Sequence, residues 1–181
     1  MRKIILGVAM SLDGFIEGPN GEYDWCFTDQ DYGMSAFFKR IDAIFMGRKS
    51  YDVSKSASAQ SPEGENPWKG IKTYVFSNSI KALDGADVEL VSGDTVGAAR
   101  KLKEKKGKDI WLFGGAELTA SLMNESLVDE LWLSIHPVLL GAGKPMFQNI
   151  KTRKKLKVTQ NQVYNTGLVQ VCYEPVESVG N

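Results

Sequence analysis

The sequence predicts an α/β domain with a mostly parallel central sheet, helices on both faces and a C-terminal antiparallel hairpin. Three observations support this fold class. Short apolar runs alternate with segments whose apolar residues recur at helical spacing, which is typical of a parallel sheet covered by helices. Two alternating segments around a glycine turn close the chain, which is typical of a hairpin. The length of 181 residues suffices for one hydrophobic core, so we expect residues 1–181 to form a single domain.

The predicted strands of the parallel sheet are short apolar runs that end at polar residues or glycines. The first spans Lys3 to Met10 and contains the continuous run Ile4-Ile5-Leu6. Turn-forming pairs such as Asp13-Gly14 follow it. The other predicted strands are 43–46, 73–76, 88–91, 110–113 and 127–136, with a final hairpin of 157–164 and 168–173.

The predicted helices lie between these strands. The first spans about 30–41, where Met34, Phe37, Phe38 and Ile41 recur at helical spacing. The others are 48–53, 94–106 (capped by Asp94) and 117–124. Residues 54–67 are small and polar and lack periodicity, so we expect a surface loop within the domain there.

Composition excludes several classes of function. Twenty-two Lys and Arg balance 22 Asp and Glu, so the basic surplus of a nucleic-acid-binding protein is absent. One His and two distant cysteines cannot form a structural zinc site, and we expect no metal. The apolar run Ile4–Met10 is too short to span a membrane, and without an evident export signal we expect a cytoplasmic protein.

Three predicted strand-to-turn junctions carry chemistry suited to a phosphate-containing ligand, since ligands bind beyond the carboxyl ends of parallel strands. At Gly47-Arg48-Lys49-Ser50 a glycine precedes a helix that begins with two cations. Free N–H groups at the helix start and an Arg fork would both hold phosphate. The alternative is an ordinary helix start with two solvated side chains.

The second junction, Gly114-Gly115-Ala116-Glu117-Leu118, removes two Cβ atoms where a pyrophosphate could approach the backbone. It matches neither the Rossmann nor the P-loop fingerprint, and a tight connection is the alternative. The third, Phe76-Ser77-Asn78-Ser79, could bind ribose or phosphate, but on its own is more typical of an ordinary turn.

These segments together resemble a known superfamily. Ser11-Leu12-Asp13-Gly14, Met46-Gly47-Arg48, Phe113-Gly114-Gly115 and His136-Pro137-Val138-Leu139-Leu140-Gly141-x-Gly143 occur in this order. The set resembles the dihydrofolate-reductase-like superfamily, most closely the reductase domain of the bifunctional riboflavin-biosynthesis protein, over roughly Arg2 to Tyr173. The resemblance implies NADPH as hydride donor and a homodimer paired through C-terminal strands.

The resemblance also implies roles for individual residues. Ala9 and Ile16 would lie by the nicotinamide carboxamide. The pyrophosphate and 2′-phosphate of NADPH would be held by Gly47, Arg48, Lys49 and Ser50, and the adenosine ribose phosphate would lie near Ser77 and Asn78. The pyrophosphate would be wrapped by Gly114, Gly115, Ala116, Glu117 and Leu118, with a cis peptide expected between the two glycines.

The chain departs from folate reductases at the substrate side. Met34 falls where they carry a pterin-binding carboxylate, while the hydroxyl that usually accompanies that acid corresponds to Ser134. The zinc motif of a deaminase half is absent from this sequence. A riboflavin-type reductase is therefore favoured over a diverged dihydrofolate reductase, and a nucleotide-binding module without turnover is the remaining alternative.

Asp24 and Trp25 are the candidate catalytic residues besides Ser134. Asp24 could act as an acid or accept a substrate hydrogen bond, and an aromatic ring beside it suits a planar small-molecule substrate. A cap before the first helix is the alternative for Asp24. We expect Asp13 to shape its turn through backbone contacts and His136, the single His, to be structural more readily than a proton donor.

Overall fold

The computed structural model describes residues 1–60, 70–83 and 85–176. Within these ranges the chain forms ten strands and four helices. In chain order they are β1 (Ile4–Ser11), β2 (Phe15–Glu17), α1 (Met34–Arg40), β3 (Ile41–Gly47), α2 (Arg48–Gln60), β4 (Lys72–Phe76), β5 (Val88–Val91), α3 (Thr95–Glu104), β6 (Asp109–Gly114), α4 (Ala116–Asn124), β7 (Glu130–His136), β8 (Lys144–Pro145), β9 (Leu156–Val163) and β10 (Val169–Pro175).

Eight strands form one sheet in the order β5-β4-β3-β6-β1-β7-β10-β9. The first six are parallel, whereas β10 runs antiparallel to both β7 and β9. The predicted fold class, including the C-terminal hairpin, is therefore confirmed. Because β3 and β6 lie side by side, the glycines that end them are brought together at one edge of the sheet.

Helices cover both faces of this sheet. On one face α3 and α4 pack through Ala99 and Leu122 into a core cluster that includes Leu6 and Leu112. On the other face α1 and α2 contribute Phe37 and Tyr51 to a second cluster. The strands buried between these layers are nearly continuous apolar runs, as expected for parallel strands covered on both faces.

The predicted boundaries need three corrections. The helix expected over 48–53 continues to Gln60, so the predicted loop is wrong at 54–60, and 61–67 lies outside the described residues. The first helix begins at Met34 rather than near Gln30, because Tyr32 and Gly33 adopt positive φ angles that no helix accommodates. The strand expected from Leu127 begins at Glu130.

A second, two-stranded sheet was not predicted. It pairs β2 with β8 in antiparallel fashion, with Phe15 opposite Pro145 and Glu17 opposite Lys144. Its strands have only three and two residues, which is too short for a period-two pattern to be recognised. None of the helices in the described ranges is long and apolar enough to cross a membrane.

Candidate cofactor groove and the adjoining aromatic cluster

A groove of about 360 Å³ opens at the carboxyl ends of β3 and β6. Ligands of open α/β sheets bind at such an edge. Its lining residues come from α2, α3, α4, β8 and the end of β4: Gly47, Arg48, Lys49, Ser50, Phe76, Ser79, Thr95, Gly115, Ala116, Glu117, Leu118, Ser121 and Lys144. Of the predicted cofactor residues, the structure thus gathers Gly47 to Ser50 and Gly115 to Leu118 around one cavity.

Three helices begin at this groove: α2 at Arg48, α3 at Thr95 and α4 at Ala116. The first N–H groups of a helix have no partner within the helix and carry partial positive charge. Asp94 caps α3 by accepting from the N–H of Gly97, but Gly115, at the start of α4, offers no side-chain cap. The free donors of α4 therefore face the cavity as anion-binding groups.

The floor of the groove is made of glycine backbone. A Cβ at Gly47 would lie 3.5 Å from the Gly115 nitrogen, and one at Gly115 would lie 3.2 Å from Ser50 Oγ. Gly114 has a φ of 114°, and its peptide bond to Gly115 is cis, as expected from the resemblance. Missing side chains here leave a cradle in which a pyrophosphate can contact main-chain N–H groups.

Beneath this cradle lies a buried hydroxyl. Thr119 is fully buried on α4, and its Oγ1 has no hydrogen-bond partner among the described residues. A Cβ at Gly114 would lie 3.9 Å from that Oγ1. An unpaired buried hydroxyl is costly, and this one lies behind the Gly114 backbone, outside the groove lining.

The cations of the groove differ in how firmly they are paired. Arg48 Nε donates to Asp52 Oδ2 at 2.6 Å, one helical turn away. Lys144 reaches the groove from β8 and lies 3.9 Å from Glu17 Oε1. Sequence reasoning missed Lys144 and Thr95, since both come from segments remote from the predicted junctions. The glycine-rich segment Gly141-Ala142-Gly143, which directly precedes Lys144, was the one sequence signal that could have indicated it.

Ser77 and Asn78 adopt the ordinary turn that was the alternative for them. Ser77 Oγ lies 3.1 Å from Ser79 Oγ, and Asn78 Oδ1 accepts from the Gly93 N–H at 2.7 Å. Neither lines the groove, whereas Ser79 does. The third junction therefore contributes to the groove wall through its first and last residues, Phe76 and Ser79.

Ala9 and Ile16 lie outside the groove lining. Ala9 is half-buried on β1 and is the Cα partner of Ser134 on β7. Ile16 is half-buried on β2 and packs against the core. The carboxyl ends of β1 and β7 thus place Ala9 next to a second group of predicted residues.

That second group is an aromatic cluster around His136. The Trp25 ring meets the imidazole edge-on with centroids 5.4 Å apart, and the Phe27 ring does so at 5.0 Å. His136 Nε2 accepts from the Phe27 backbone N–H at 3.1 Å, so the proton resides on Nδ1, which lies 3.2 Å from the Ser134 carbonyl. Burial lowers the pKa of His136 below its usual value. His136 is therefore neutral and holds the Phe27 backbone, which is a structural contact.

Ser134 lies beside a polar side chain that the sequence did not indicate. Gln170 on β10 donates through Nε2 to the Tyr32 carbonyl at 3.1 Å and to Ser134 Oγ at 3.4 Å. The Tyr32 and Tyr164 rings meet edge-on at 4.9 Å. The cluster thus presents hydroxyl, amide and aromatic groups, which suits a planar polar ligand.

Asp24, Trp25 and Cys26 are consecutive in the chain but lie in different environments. Asp24 is exposed, while Trp25 Nε1 is buried with no hydrogen-bond partner in the part of the chain that is described. Burial raises the pKa of the Cys26 thiol to about 11, so it stays protonated and unreactive. Met34 begins α1, and the nearby Asp31 carboxylate is engaged with the backbone N–H and hydroxyl of Ser35.

Asp13 ties the turn after β1 to the glycine-rich loop. It accepts from Ser11 Oγ at 2.6 Å and from the backbone N–H groups of Leu140 and Gly141 at 3.1 and 2.8 Å. These bonds lower its pKa. Asp13 therefore makes side-chain-to-backbone bonds as predicted, but to the loop of Leu140 and Gly141 instead of within its own turn. Among the described residues, no group of three His, Cys, Asp or Glu could hold a metal ion.

Comparisons with known proteins agree on one family. Residues 2–170 match the RibD C-terminal domain. "Uncharacterized protein YyaP" of Bacillus subtilis (strain 168) is 44% identical over 181 residues, covering 95% of this chain and 94% of its own.

Two solved structures share the fold. A "Putative riboflavin biosynthesis protein" from Shewanella sp. PV-4 superposes with a TM-score of 0.83 at 26% identity, covering 98% of this chain and 100% of its own. A diaminohydroxyphosphoribosylaminopyrimidine deaminase/5-amino-6-(5-phosphoribosylamino)uracil reductase from Thermotoga maritima superposes with a TM-score of 0.73 at 17% identity, covering 97% of this chain and 57% of its own.

Proposed function

Because the chain belongs to the RibD C-terminal domain family, we propose that it is an NADPH-dependent reductase. Its substrate would be a small heterocycle or a sugar-derived compound, of the type of 5-amino-6-(5-phosphoribosylamino)uracil. The observation that carries the proposal is the groove in which three helix starts, a glycine floor and three cations converge.

The groove suits a ligand with two phosphate positions. The free N–H groups at the start of α4 and the glycine cradle at Gly115 favour the pyrophosphate that all nicotinamide dinucleotides share. Arg48 and Lys49 add positive charge at the start of α2, where a 2′-phosphate would gain charge-assisted contacts. This division favours NADPH over NADH.

When bound, NADPH would supply the hydride, and this chain's residues would supply placement and electrostatics. Gly47, Ser50 and the segment from Gly114 to Leu118 would hold the dinucleotide. Ala9 near the end of β1 and Ile16 on β2 would hold the nicotinamide carboxamide, as the family resemblance implies. The substrate would then lie against the aromatic cluster.

Ser134 and Trp25 would position the substrate. Ser134 Oγ is oriented by Gln170 and can donate or accept one hydrogen bond. The unpaired Trp25 Nε1 is a donor that a substrate oxygen would satisfy after a small displacement of the ring. Asp24, which is exposed and precedes Trp25 in the chain, would donate the proton that the nitrogen or oxygen of the reduced bond takes up after hydride transfer, or would accept a substrate hydrogen bond.

Titration of the purified protein with NADPH and NADH tests the cofactor assignment. We expect Arg48→Ala to weaken NADPH about tenfold and NADH less than about twofold, because only NADPH carries the 2′-phosphate. Asp52→Asn is the matched variant: it frees Arg48 from its carboxylate partner and should tighten NADPH. Equal losses for both cofactors in Arg48→Ala would refute the 2′-phosphate role.

The reaction itself is tested by following NADPH oxidation at 340 nm with a panel of substrates. Oxidation with a phosphoribosylaminouracil and not with dihydrofolate would support the proposal. Oxidation with dihydrofolate would instead favour a diverged dihydrofolate reductase, and NADPH binding without turnover on any substrate would favour a nucleotide-binding module.

A further inference from the structure

Of the three cations that line the groove, Lys144 comes from β8, whereas Arg48 and Lys49 come from α2. Lys144 Nζ would lie 3.9 Å from a Cβ placed on Gly115. Ser50 Oγ approaches the same point to 3.2 Å. Lys144 therefore lies by the glycine cradle at the start of α4, and of the three cations that line the groove it is the one whose side chain lies within 4 Å of a Cβ placed on Gly115.

The backbone around Lys144 is held in place by an unusually close contact between strands. A Cβ at Gly143 would lie 2.1 Å from the Glu17 carbonyl oxygen, so only glycine permits β8 to approach β2 this closely. The Met146 N–H donates to the Gly14 carbonyl at 2.9 Å and secures the other end of the same segment. The backbone on both sides of Lys144 is thus held against β2 and the turn that precedes it.

That ammonium group has a weak partner. Lys144 Nζ and Glu17 Oε1 are 3.9 Å apart, and the two side chains are 25% and 36% exposed. By comparison, Arg48 and Asp52 are joined by a hydrogen bond of 2.6 Å. A contact that is long and solvated contributes little, so a phosphate oxygen can displace Glu17 at small cost.

We propose that Lys144 exchanges Glu17 for the pyrophosphate when a dinucleotide binds. The inference rests on the proposed function, because it presumes a nicotinamide dinucleotide in the groove. Lys144 then serves the phosphates that NADPH and NADH have in common, whereas Arg48 and Lys49 at the start of α2 serve the 2′-phosphate. Cofactor affinity and cofactor preference would thus depend on cations from two different walls.

Equilibrium titrations of Lys144→Met test this division, with NADPH, NADH and inorganic pyrophosphate as three separate probes. We expect affinity for all three to fall by the same factor, about five- to tenfold. Lys106→Met is the matched control: it removes an equal charge from an exposed position beyond the carboxyl end of α3, and should change each affinity less than about twofold. Lys144→Arg should restore binding, and thermal unfolding of each variant verifies that the fold is intact.

Two results would overturn the role of Lys144. One is unchanged binding of NADH and pyrophosphate in Lys144→Met; the other is a loss confined to NADPH, which would reassign Lys144 to the 2′-phosphate. Both require that the unaltered protein binds NADPH, so they leave the proposed function standing. If the unaltered protein binds neither dinucleotide at high micromolar concentration, the proposed function and this inference fall together.

The exchange with Glu17 has its own test. Glu17→Gln removes the competing carboxylate and should tighten pyrophosphate about twofold when Lys144 is present. In the Lys144→Met background the same substitution should have no effect, because there is no ammonium group to release. An equal gain in both backgrounds would mean that Glu17 acts through the general field of the groove, and would overturn the exchange.

Discussion

At the scale of single residues, His136 illustrates how a lone titratable group serves the structure. Its Nε2 accepts a hydrogen bond from the Phe27 N–H, and its ring contacts the rings of Trp25 and Phe27. The neutral form therefore anchors the segment that follows β2. Protonation would put a hydrogen on Nε2 and break the bond to Phe27. The loop that carries Trp25 therefore depends on the charge state of one imidazole.

This dependence predicts a pH effect on stability. An unperturbed imidazole has a pKa of about 6.5, whereas burial lowers the pKa of His136 in the folded protein. Between those two values the unfolded chain binds more protons, so the free energy of unfolding should fall as the pH drops from about 7.5 to 5.5. Urea unfolding at both pH values measures this change.

The control is His136→Gln, which keeps an acceptor but does not titrate. Since His136 is the only histidine, this variant should lose most of the difference between the two pH values. An unchanged difference would show that other groups cause it. The substitution itself should cost about 1 kcal/mol, as expected for a strained or lost hydrogen bond.

Residues at the ends of strands were predictable, while residues that meet them from elsewhere were not. Gly47 to Ser50 and Gly115 to Leu118 follow apolar runs directly, so local sequence placed both at the carboxyl edge of the sheet. Gln170 and Lys144 reach Ser134 and Gly115 across large sequence separations. Only the tertiary pairing of β10 and β8 brings them there, and no local pattern encodes it.

At the scale of elements, the small sheet of β2 and β8 depends on Gly143. Gly143→Ala would place a methyl group against the Glu17 carbonyl, 2.1 Å away, at a φ of +141°. Backbone would have to move, and we expect a loss of about 2–3 kcal/mol in unfolding free energy together with weaker cofactor binding. Urea unfolding and NADPH titration measure the two effects.

Gly141→Ala is the matched control for this prediction. It lies two residues away at a φ of +72°, and a Cβ there would meet nothing within 4 Å. Only backbone strain applies, so the cost should be near 1 kcal/mol. Equal losses in the two variants would show that the close approach to Glu17 does not determine the effect.

Helix α2 shows why the length of an element can escape prediction. Residues 54–60 lack apolar periodicity, and this led to the expectation of a loop. Ser54 is nevertheless buried, with its Oγ donating to the Tyr51 carbonyl at 2.8 Å. A buried serine whose hydroxyl bonds to the preceding turn satisfies its polar group inside the helix, and a search for apolar periodicity does not detect such a residue.

At the scale of the whole molecule, the sheet ends in an unprotected strand. All eight residues of β9 are exposed, and Val158 and Val163 expose 48% and 64% of their surface. β9 lies at the edge of the sheet, paired only with β10 among the described strands. Exposed apolar edges are liable to pair with another chain.

We propose that a second copy of the chain covers β9, giving the homodimer that the family resemblance implies. Sedimentation equilibrium should then report about twice the chain mass of 20.0 kDa. Replacing Val158 and Val163 together by Lys should yield monomers with an unchanged fold, since both side chains already face solvent. Val53→Lys, at an exposed position on α2, is the control; a monomeric unaltered protein would contradict the proposal.

The central position of β1 has a consequence for synthesis on the ribosome. The first strand of the chain pairs with β6 and β7, whose residues lie more than 100 positions later. While the nascent chain emerges, the apolar run Ile4-Ile5-Leu6 therefore has no sheet neighbour until β6 and β7 have been translated. The cofactor groove includes the end of β6 and the start of α4, so it cannot form before then, and the unpaired β1 is a segment of the nascent chain on which a chaperone would act.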